Sequence, residues 1–256
     1  MNRTLQSLLL HLYQAIRSTG VLNTKLGRNF FDFLYNLYKL AFEAGPINHL
    51  KDFIEPNSCV IDVGANIGFF TTRFCKWVGN TGRVIAIEPE EANFQRLKRM
   101  VSKNNMGSKV DLLKGLVAEK DGELFLELNP DHPGDHKIGA DGIKTVSYKL
   151  DSILEERNWP DVSFIKIDVQ GAEERVLDGA EQTFERYKPN IFIEVHDIAL
   201  QEFGSSSRSL LERVEGMGYT IHILRKNGIS DKLSVNDALL LIGPKENYMD
   251  FLCLGR

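Results

Sequence analysis

The sequence predicts an α/β fold, a mostly parallel sheet flanked by helices. Three observations carry this. From Val60 onward, short aliphatic runs alternate with amphipathic segments. The first run passes through a glycine turn, Gly64 to Gly68, straight into a helical pattern. Two later runs finish on a carboxylate, Val84–Ile87 at Glu88 and Ser163–Ile167 at Asp168.

The elements follow in order. Val60–Val63 reads as the first strand and residues 68–78 as its helix. Val84–Ile87 is the second strand, followed by a helix from Glu91 to Lys103, and Val110–Leu113 is the third strand. Residues 123–128 and 144–150 have β character and flank a polar, glycine-rich loop at 129–142, which suggests an antiparallel insertion beside the sheet. Ser163–Ile167 is the fourth buried strand, with a helix from Ala172 to about Phe184. Ile191–Val195 is the fifth and ends at His196; a helix from Ser209 to Met217 follows. Tyr219–Leu224 and Ala238–Ile242, split by a turn at Asn227-Gly228, read as a closing hairpin with an antiparallel strand.

Residues 1–55 read as an N-terminal helical segment. Leu5, Leu8, Leu9, Leu12 and Ile16 recur at helical spacing, as do Phe30, Phe33, Leu34, Leu37, Tyr38 and Ala41, until Gly45-Pro46 breaks the pattern. The expected division is therefore 1–55 and 56–256. Leu8-Leu9-Leu10 is interrupted by His11, Gln14 and Arg17 too soon for a membrane span, and no small-residue cleavage signal follows.

The chain has 256 residues, 43% hydrophobic and 26% charged, with a net charge of −4, which suits a soluble domain with a substantial core and gives no general attraction to nucleic acid. Arg96, Lys98, Arg99 and Lys103 share one predicted helix and read as a solvated face. Three cysteines, Cys59, Cys75 and Cys253, without CxxC spacing, argue against a disulfide framework or a zinc site and for a reducing, cytoplasmic location. The C-terminal Arg256 does not match a prenylation signal.

The glycine turn carries the chemistry. Gly64 and Gly68 lack a Cβ and permit close backbone approach, and the following helix presents free N–H groups. A dinucleotide site has the spacing G-x-G-x-x-G. This chain has Asp62-x-Gly64-x-Asn66-x-Gly68 instead, and Asp62 is ill-placed beside a pyrophosphate but well placed beside a cationic methionyl amine. Glu88 can accept hydrogen bonds from both ribose hydroxyls. The cofactor this pattern suits best is S-adenosylmethionine, held by Asp62, Gly64, Ala65, Asn66, Gly68 and Glu88.

At these residues the chain resembles the FkbM family of S-adenosylmethionine-dependent methyltransferases. The resemblance rests on Val60-Ile61-Asp62-Val63-Gly64-Ala65-Asn66-Ile67-Gly68, Ala86-Ile87-Glu88-Pro89 and Ile165-Lys166-Ile167-Asp168-Val169-Gln170-Gly171-Ala172-Glu173. Lys149-Leu150-Asp151-Ser152 and Ile193-Glu194-Val195-His196 also resemble it, over roughly residues 58–243 in all. Gln170 departs from the family, whose members often carry Glu there. The resemblance implies a Rossmann-like class I methyltransferase fold, a seven-stranded sheet with a reversed last strand. It also implies methyl transfer, usually to an oxygen of a sugar or natural product. In this fold class the segment after the third strand closes over the adenine, which adds Val117.

Methyl transfer from a sulfonium needs alignment, a dry pocket and a base for the acceptor hydroxyl. Asp168 and His196 stand at neighbouring strand ends, where ligands of open α/β sheets bind, and are the candidate catalytic residues. Asp168 also suits a helix cap, and His196 a loop hydrogen bond. Glu173 and Glu194 are candidates for the same mouth. The loop His132-Pro133-Gly134-Asp135-His136 has no known zinc spacing; it reads as an acceptor loop, and no metal is assigned. The expected partner is a small-molecule or glycan acceptor. The alternatives are a nicotinamide-dependent oxidoreductase and a non-catalytic binding subunit of the same fold. A nucleic-acid methyltransferase is disfavoured by Asp168-Val169-Gln170-Gly171, which stands where an Asn-Pro-Pro-Tyr-like tetrad is expected.

Overall fold

The computed structural model describes residues 44–129, 136–243 and 248–255. The chain divides into two units, Met1–His49 and Leu50–Arg256. Most of the N-terminal segment expected to be helical lies outside the described residues; what is described forms a short helix, Ala44–Ile47, and a 3-10 helix, Asn48–Phe53. Gly45-Pro46 sits inside that first helix and does not break it. Proline is tolerated in a first turn, where its missing N–H would have no partner.

The larger unit is built on one sheet. Its strands are β1 (Cys59–Val63), β2 (Arg83–Glu88), β3 (Val110–Lys114), β8 (Val162–Ile167), β9 (Asn190–His196), β10 (Thr220–His222) and β13 (Tyr248–Leu254). Their spatial order is β10-β13-β9-β8-β1-β2-β3. β9, β8, β1, β2 and β3 run parallel. β13 runs antiparallel between β9 and β10. The parallel order reverses direction of travel at β1 and β8, which opens a crevice at their carboxyl ends.

Alternation along each strand sorts the faces. Ile61, Val63, Ile85, Ile87, Ile165, Ile167, Ile191 and Ile193 join one aliphatic core. Packed there are α3 (Leu150–Glu155), α4 (Glu173–Asp178), α5 (Glu181–Tyr187), α6 (Asp197–Glu202), α7 (Ser207–Gly216) and α8 (Val235–Ile242). The other face carries Phe164 and Phe192, met by Phe74 and Phe70 of α1 (Phe69–Trp77) at 5.6 and 5.7 Å between ring centres. On that same face, paired across β1 and β8, are Asp62 and Lys166, two charges in otherwise apolar rows.

A second sheet, in the order β4-β7-β5-β6, covers the crevice rim: β4 (Leu116–Val117), β5 (Gly122–Glu127), β6 (Lys137–Gly139) and β7 (Ile143–Tyr148). β5 and β7 are the expected antiparallel insertion, and β6 lies within the expected loop. Leu150 belongs to α3, not to the preceding strand. Its neighbour Asp151 is buried and accepts hydrogen bonds from the Thr183 amide (2.9 Å), the Thr183 hydroxyl (2.6 Å) and the Gln182 amide (3.0 Å). Asp151 thereby caps α5.

The expected helix from Ala172 to Phe184 is two helices, parted at Gly179, where a Cβ would stand 2.1 Å from the Ala118 carbonyl oxygen. The C-terminal expectation needs a larger correction. Ala238–Ile242 is helical, part of α8, and the reversed strand is Tyr248–Leu254. Ser234 and Asp237 form a reciprocal capping box at the start of α8. Those caps and the Ala/Leu content fix a helix where aliphatic character alone suggested a strand. The turn at Asn227-Gly228 does join a hairpin, but a minimal one, β11 (Leu224–Arg225) with β12 (Gly228–Ile229). Among the described residues no helix is long and apolar enough to cross a membrane.

Candidate active site

A cleft opens at the carboxyl ends of β1, β2 and β8, with β4 and β6 closing its far side. Gly64, Asn66, Glu88, Val117 and Asp168 line it, five of the nine residues expected at the site. Asn93, Pro89, His136, Ile138 and Gln170 line it as well.

Glu88 is the anchor of the β2 end. It is 4% exposed, and its two oxygens are aimed by the chain itself: the Asn66 amide donates to Oε2 (2.8 Å) and the Glu90 amide to Oε1 (3.0 Å). Each oxygen keeps a lone pair for a diol. Burial pushes its pKa up to about 7, against the pull of those two amides. Glu90 in turn caps α2 (Glu91–Lys103), accepting from the Ala92 and Asn93 amides. The cap presents Asn93, 3% exposed, to the cleft.

Asp62 lies deeper than expected. It is fully buried and does not line the cleft. Thr71 of α1 donates its hydroxyl to Oδ2 at 2.6 Å, and Oδ1 stands 3.7 Å from the Lys166 ammonium and receives no hydrogen bond. Burial raises its pKa, countered by Lys166 and Thr71. Asp62 therefore acts on the cleft through Lys166 and the turn.

The glycines do something different from what their spacing suggested. A Cβ on Gly64, which has φ +75°, would lie 1.9 Å from the Asp168 carbonyl oxygen; one on Gly68, φ +96°, would lie 2.1 Å from Met100 Cε. Gly64 lets β1 approach the β8 exit, and Gly68 lets α1 start against α2. Their necessity is internal packing, and the turn's shape follows from it. Gly68 and Ala65 stay behind the lining.

The opposite wall is the loop after β8. Asp168 is about one-third exposed there. Its Oδ2 pairs with Lys166 Nζ at 3.1 Å, and its Oδ1 accepts from the Gln170 amide nitrogen at 3.1 Å. The same nitrogen donates to Glu194 Oε2 at 2.9 Å. Burial, with Asp168, Asp250 and Glu173 nearby, raises the Glu194 carboxyl well above the usual range. Glu173, not Asp168, ties this loop to its helix: its Oε1 accepts from the Val169 (3.2 Å) and Gly171 (3.1 Å) amides, and burial lifts its pKa to about 7.

His196 is not brought to the cleft. It ends β9 with its ring edge-on to Tyr248, 6.3 Å between centres, and is absent from the lining. The strand-end rule placed it one strand too far along the sheet. Of the expected histidine loop, residues 130–135 lie outside the described residues; His136 Nδ1 accepts from the Asn129 amide at 3.0 Å and closes the loop base at the cleft. Among the described residues no cluster of three His, Cys, Asp or Glu side chains could hold a metal ion.

Asn93, which lines the cleft, and Lys166, which stands behind its glycine turn, are the residues that sequence reasoning did not single out. Lys166 reads as one letter of an aliphatic run. A lysine inside a six-residue strand with no exposed position was itself the available signal.

The cleft residues fit S-adenosylmethionine. Glu88 offers two oriented acceptors that would suit ribose hydroxyls, and Asp168 lines the cleft as a carboxylate that would suit a sulfonium. Leu116, Val117 and Ile138 form an apolar slot for a base. Comparison with known proteins agrees. The family described as "Methyltransferase FkbM domain" matches residues 62–221. The hexuronic acid methyltransferase AglP of Haloferax volcanii is 29% identical over 64% of this chain and 66% of its own. The 31-O-demethyl-FK506 methyltransferase FkbM of Streptomyces tacrolimicus is 25% identical over 66% of this chain and 75% of its own. Among solved structures, FkbM from Methylobacillus flagellatus aligns at 18% identity with a TM-score of 0.49, over 79% of this chain and 48% of that one. The chain thus spans about two thirds of the length of the curated relatives it matches. With the family matched over more than half its length, the chain belongs to the FkbM methyltransferases.

Proposed function

We propose that the protein transfers a methyl group from S-adenosylmethionine to a hydroxyl oxygen of a sugar, glycan or natural product. The carrying observation is a cleft with two chemically distinct ends. One holds Glu88, its oxygens set by backbone amides. The other holds Asp168, partly open to solvent. Two relatives named for a hexuronic acid and for FK506 support an oxygen acceptor. The family match favours transfer over nicotinamide chemistry.

Held at Glu88 and the Gly64–Asn66 turn, S-adenosylmethionine would supply a sulfonium methyl for transfer to oxygen, with a neutral thioether as the leaving group. The chain supplies alignment and a proton acceptor. Asp168, its carboxylate fixed between Lys166 and Gln170, accepts the acceptor's O–H proton. Leu116, Val117 and Ile138 exclude water from the donor's base. We place the catalytic domain at residues 56–256, preceded by the N-terminal segment 1–55. Three buried, unpaired cysteines favour a reducing cytoplasm.

The experiment is a methyl-release assay with labelled donor against hexosides, hexuronides and macrolide alcohols. Transfer to at least one, falling about a hundredfold or more in Asp168→Asn, supports the reading. Full activity in that variant removes Asp168 from its role. Binding of the donor with no transfer to any oxygen acceptor favours the non-catalytic alternative.

A further inference from the structure

The Lys166 ammonium sits behind the glycine turn, with its side chain 4% exposed. It donates to the carbonyl oxygens of Gly64 (2.7 Å) and Val63 (3.3 Å), both cleft-lining residues. Its nitrogen stands 3.1 Å from Asp168 Oδ2 and 3.7 Å from Asp62 Oδ1, and 5.4 Å from the centre of the Phe70 ring. Burial works against its charge, but Asp168 and Asp62 more than offset this and keep it protonated.

One cation stands between the Asp62 and Asp168 carboxylates, with Glu194 a further acid acting on it, so its charge decides how negative the wall is. The depth of the group matters: poorly screened by water, a fixed charge there acts on anything in the cleft at low effective dielectric. The donor enters carrying a sulfonium, and what remains after transfer is a neutral thioether. Any charge behind the wall therefore distinguishes the two.

We propose that Lys166 is a specificity-determining residue that sets the cleft's preference between the cationic donor and its neutral product. Its ammonium weakens the hold on the sulfonium relative to the thioether. It keeps Asp62 and Asp168 from over-stabilising the ground state, so that loss of positive charge from sulfur during transfer is favoured. A purely structural lysine, present only to neutralise buried Asp62, would affect both ligands alike.

The test is calorimetric titration of the full chain with S-adenosylmethionine, S-adenosylhomocysteine and sinefungin, an analogue bearing an ammonium in place of the sulfonium. In Lys166→Met, the affinity ratio of either cationic ligand to S-adenosylhomocysteine rises about fivefold or more. Lys166→Arg keeps the wild-type ratio. Asp168→Asn, at a partly exposed position, lowers the ratio about threefold, and keeps the question answerable if Lys166→Met does not fold. An unchanged ratio in Asp168→Asn, or equal loss of all three ligands in a folded Lys166→Met, overturns the proposal. Absence of heat with all three ligands in the folded wild type overturns the donor assignment and this inference with it, an outcome distinct from intact binding at an unchanged ratio.

Discussion

The two walls of the cleft hold carboxylates in different ways. On the β2 side, Glu88 is oriented by backbone amides two and twenty-two residues away in sequence. On the β8 side, Asp168 and Glu194 are oriented by side chains, one lysine and one glutamine. Only proline removes a backbone N–H, so the first wall is largely written into the fold. The second wall can be retuned one residue at a time. Under the proposed function, this division would put the donor on the fixed wall and the acceptor on the tunable one. Gln170 illustrates it. Its backbone is left-handed, φ 56°, followed by Gly171 at φ 98°, and this bend aims one amide nitrogen at two carboxylates.

The largest expected effect breaks both walls together. Gly64→Ala puts a Cβ 1.9 Å from the Asp168 carbonyl oxygen at a φ that disfavours side chains. The strand exits must part, costing about 3 kcal/mol or more in a urea melt, with donor affinity lost. Glu88→Gln comes next and touches the first wall alone. It lowers affinity for S-adenosylhomocysteine about tenfold.

The pH behaviour sharpens the same contrast. Glu88 and Glu173 both have folded pKa values of about 7 against about 4.5 unperturbed. Folding therefore takes up protons at both. The stability they contribute is fully present below pH about 4.5 and is lost as the pH rises through about 7. Ligand affinity is expected to run the opposite way if the proposed role of Glu88 holds, since its ionised carboxylate is the better acceptor for ribose hydroxyls: binding should strengthen as the pH rises through about 7. Urea melts and titrations at pH 5 and 8 should show both trends. Glu88→Gln should remove the binding trend and part of the stability trend.

Asp151→Ala separates packing from site. It removes three hydrogen bonds at the start of α5 and costs about 2 kcal/mol, while affinity for S-adenosylhomocysteine stays unchanged by titration. The smallest effect belongs to His196→Ala. Its ring packs edge-on to Tyr248 and lies outside the cleft lining. It should cost under about 1 kcal/mol and leave ligand binding intact; a tenfold loss would return His196 to the site.

What was legible in the sequence follows the same divide. The strand, turn, helix and second-strand acid of the first wall are contiguous from Cys59 to Glu88, so local pattern singled out Gly64, Asn66 and Glu88, all of which line the cleft. Asp62 was found, but its depth depends on α1, which covers it. On the second wall Asp168, Glu173 and Glu194 were named from local pattern, but their tie to Lys166 depends on register across β1, β8 and β9, which no local pattern records. Hence Lys166 passed as strand filler, and His196 was placed at a mouth it does not reach. Asp151, part of a motif that resembled the family, proved to be a helix cap. The C-terminal error came from taking an aliphatic run as a strand while its Ser234–Asp237 capping box went unread.

The central claim is that the cleft between Glu88 and Asp168 holds S-adenosylmethionine. Titration of the folded chain with S-adenosylhomocysteine, followed by amide chemical shifts, tests it most directly. The account predicts saturable binding with the largest shifts at Gly64, Asn66, Glu88 and Val117, weakened in Glu88→Gln. Saturable binding that leaves those amides unmoved, or no binding by a demonstrably folded protein, would contradict it.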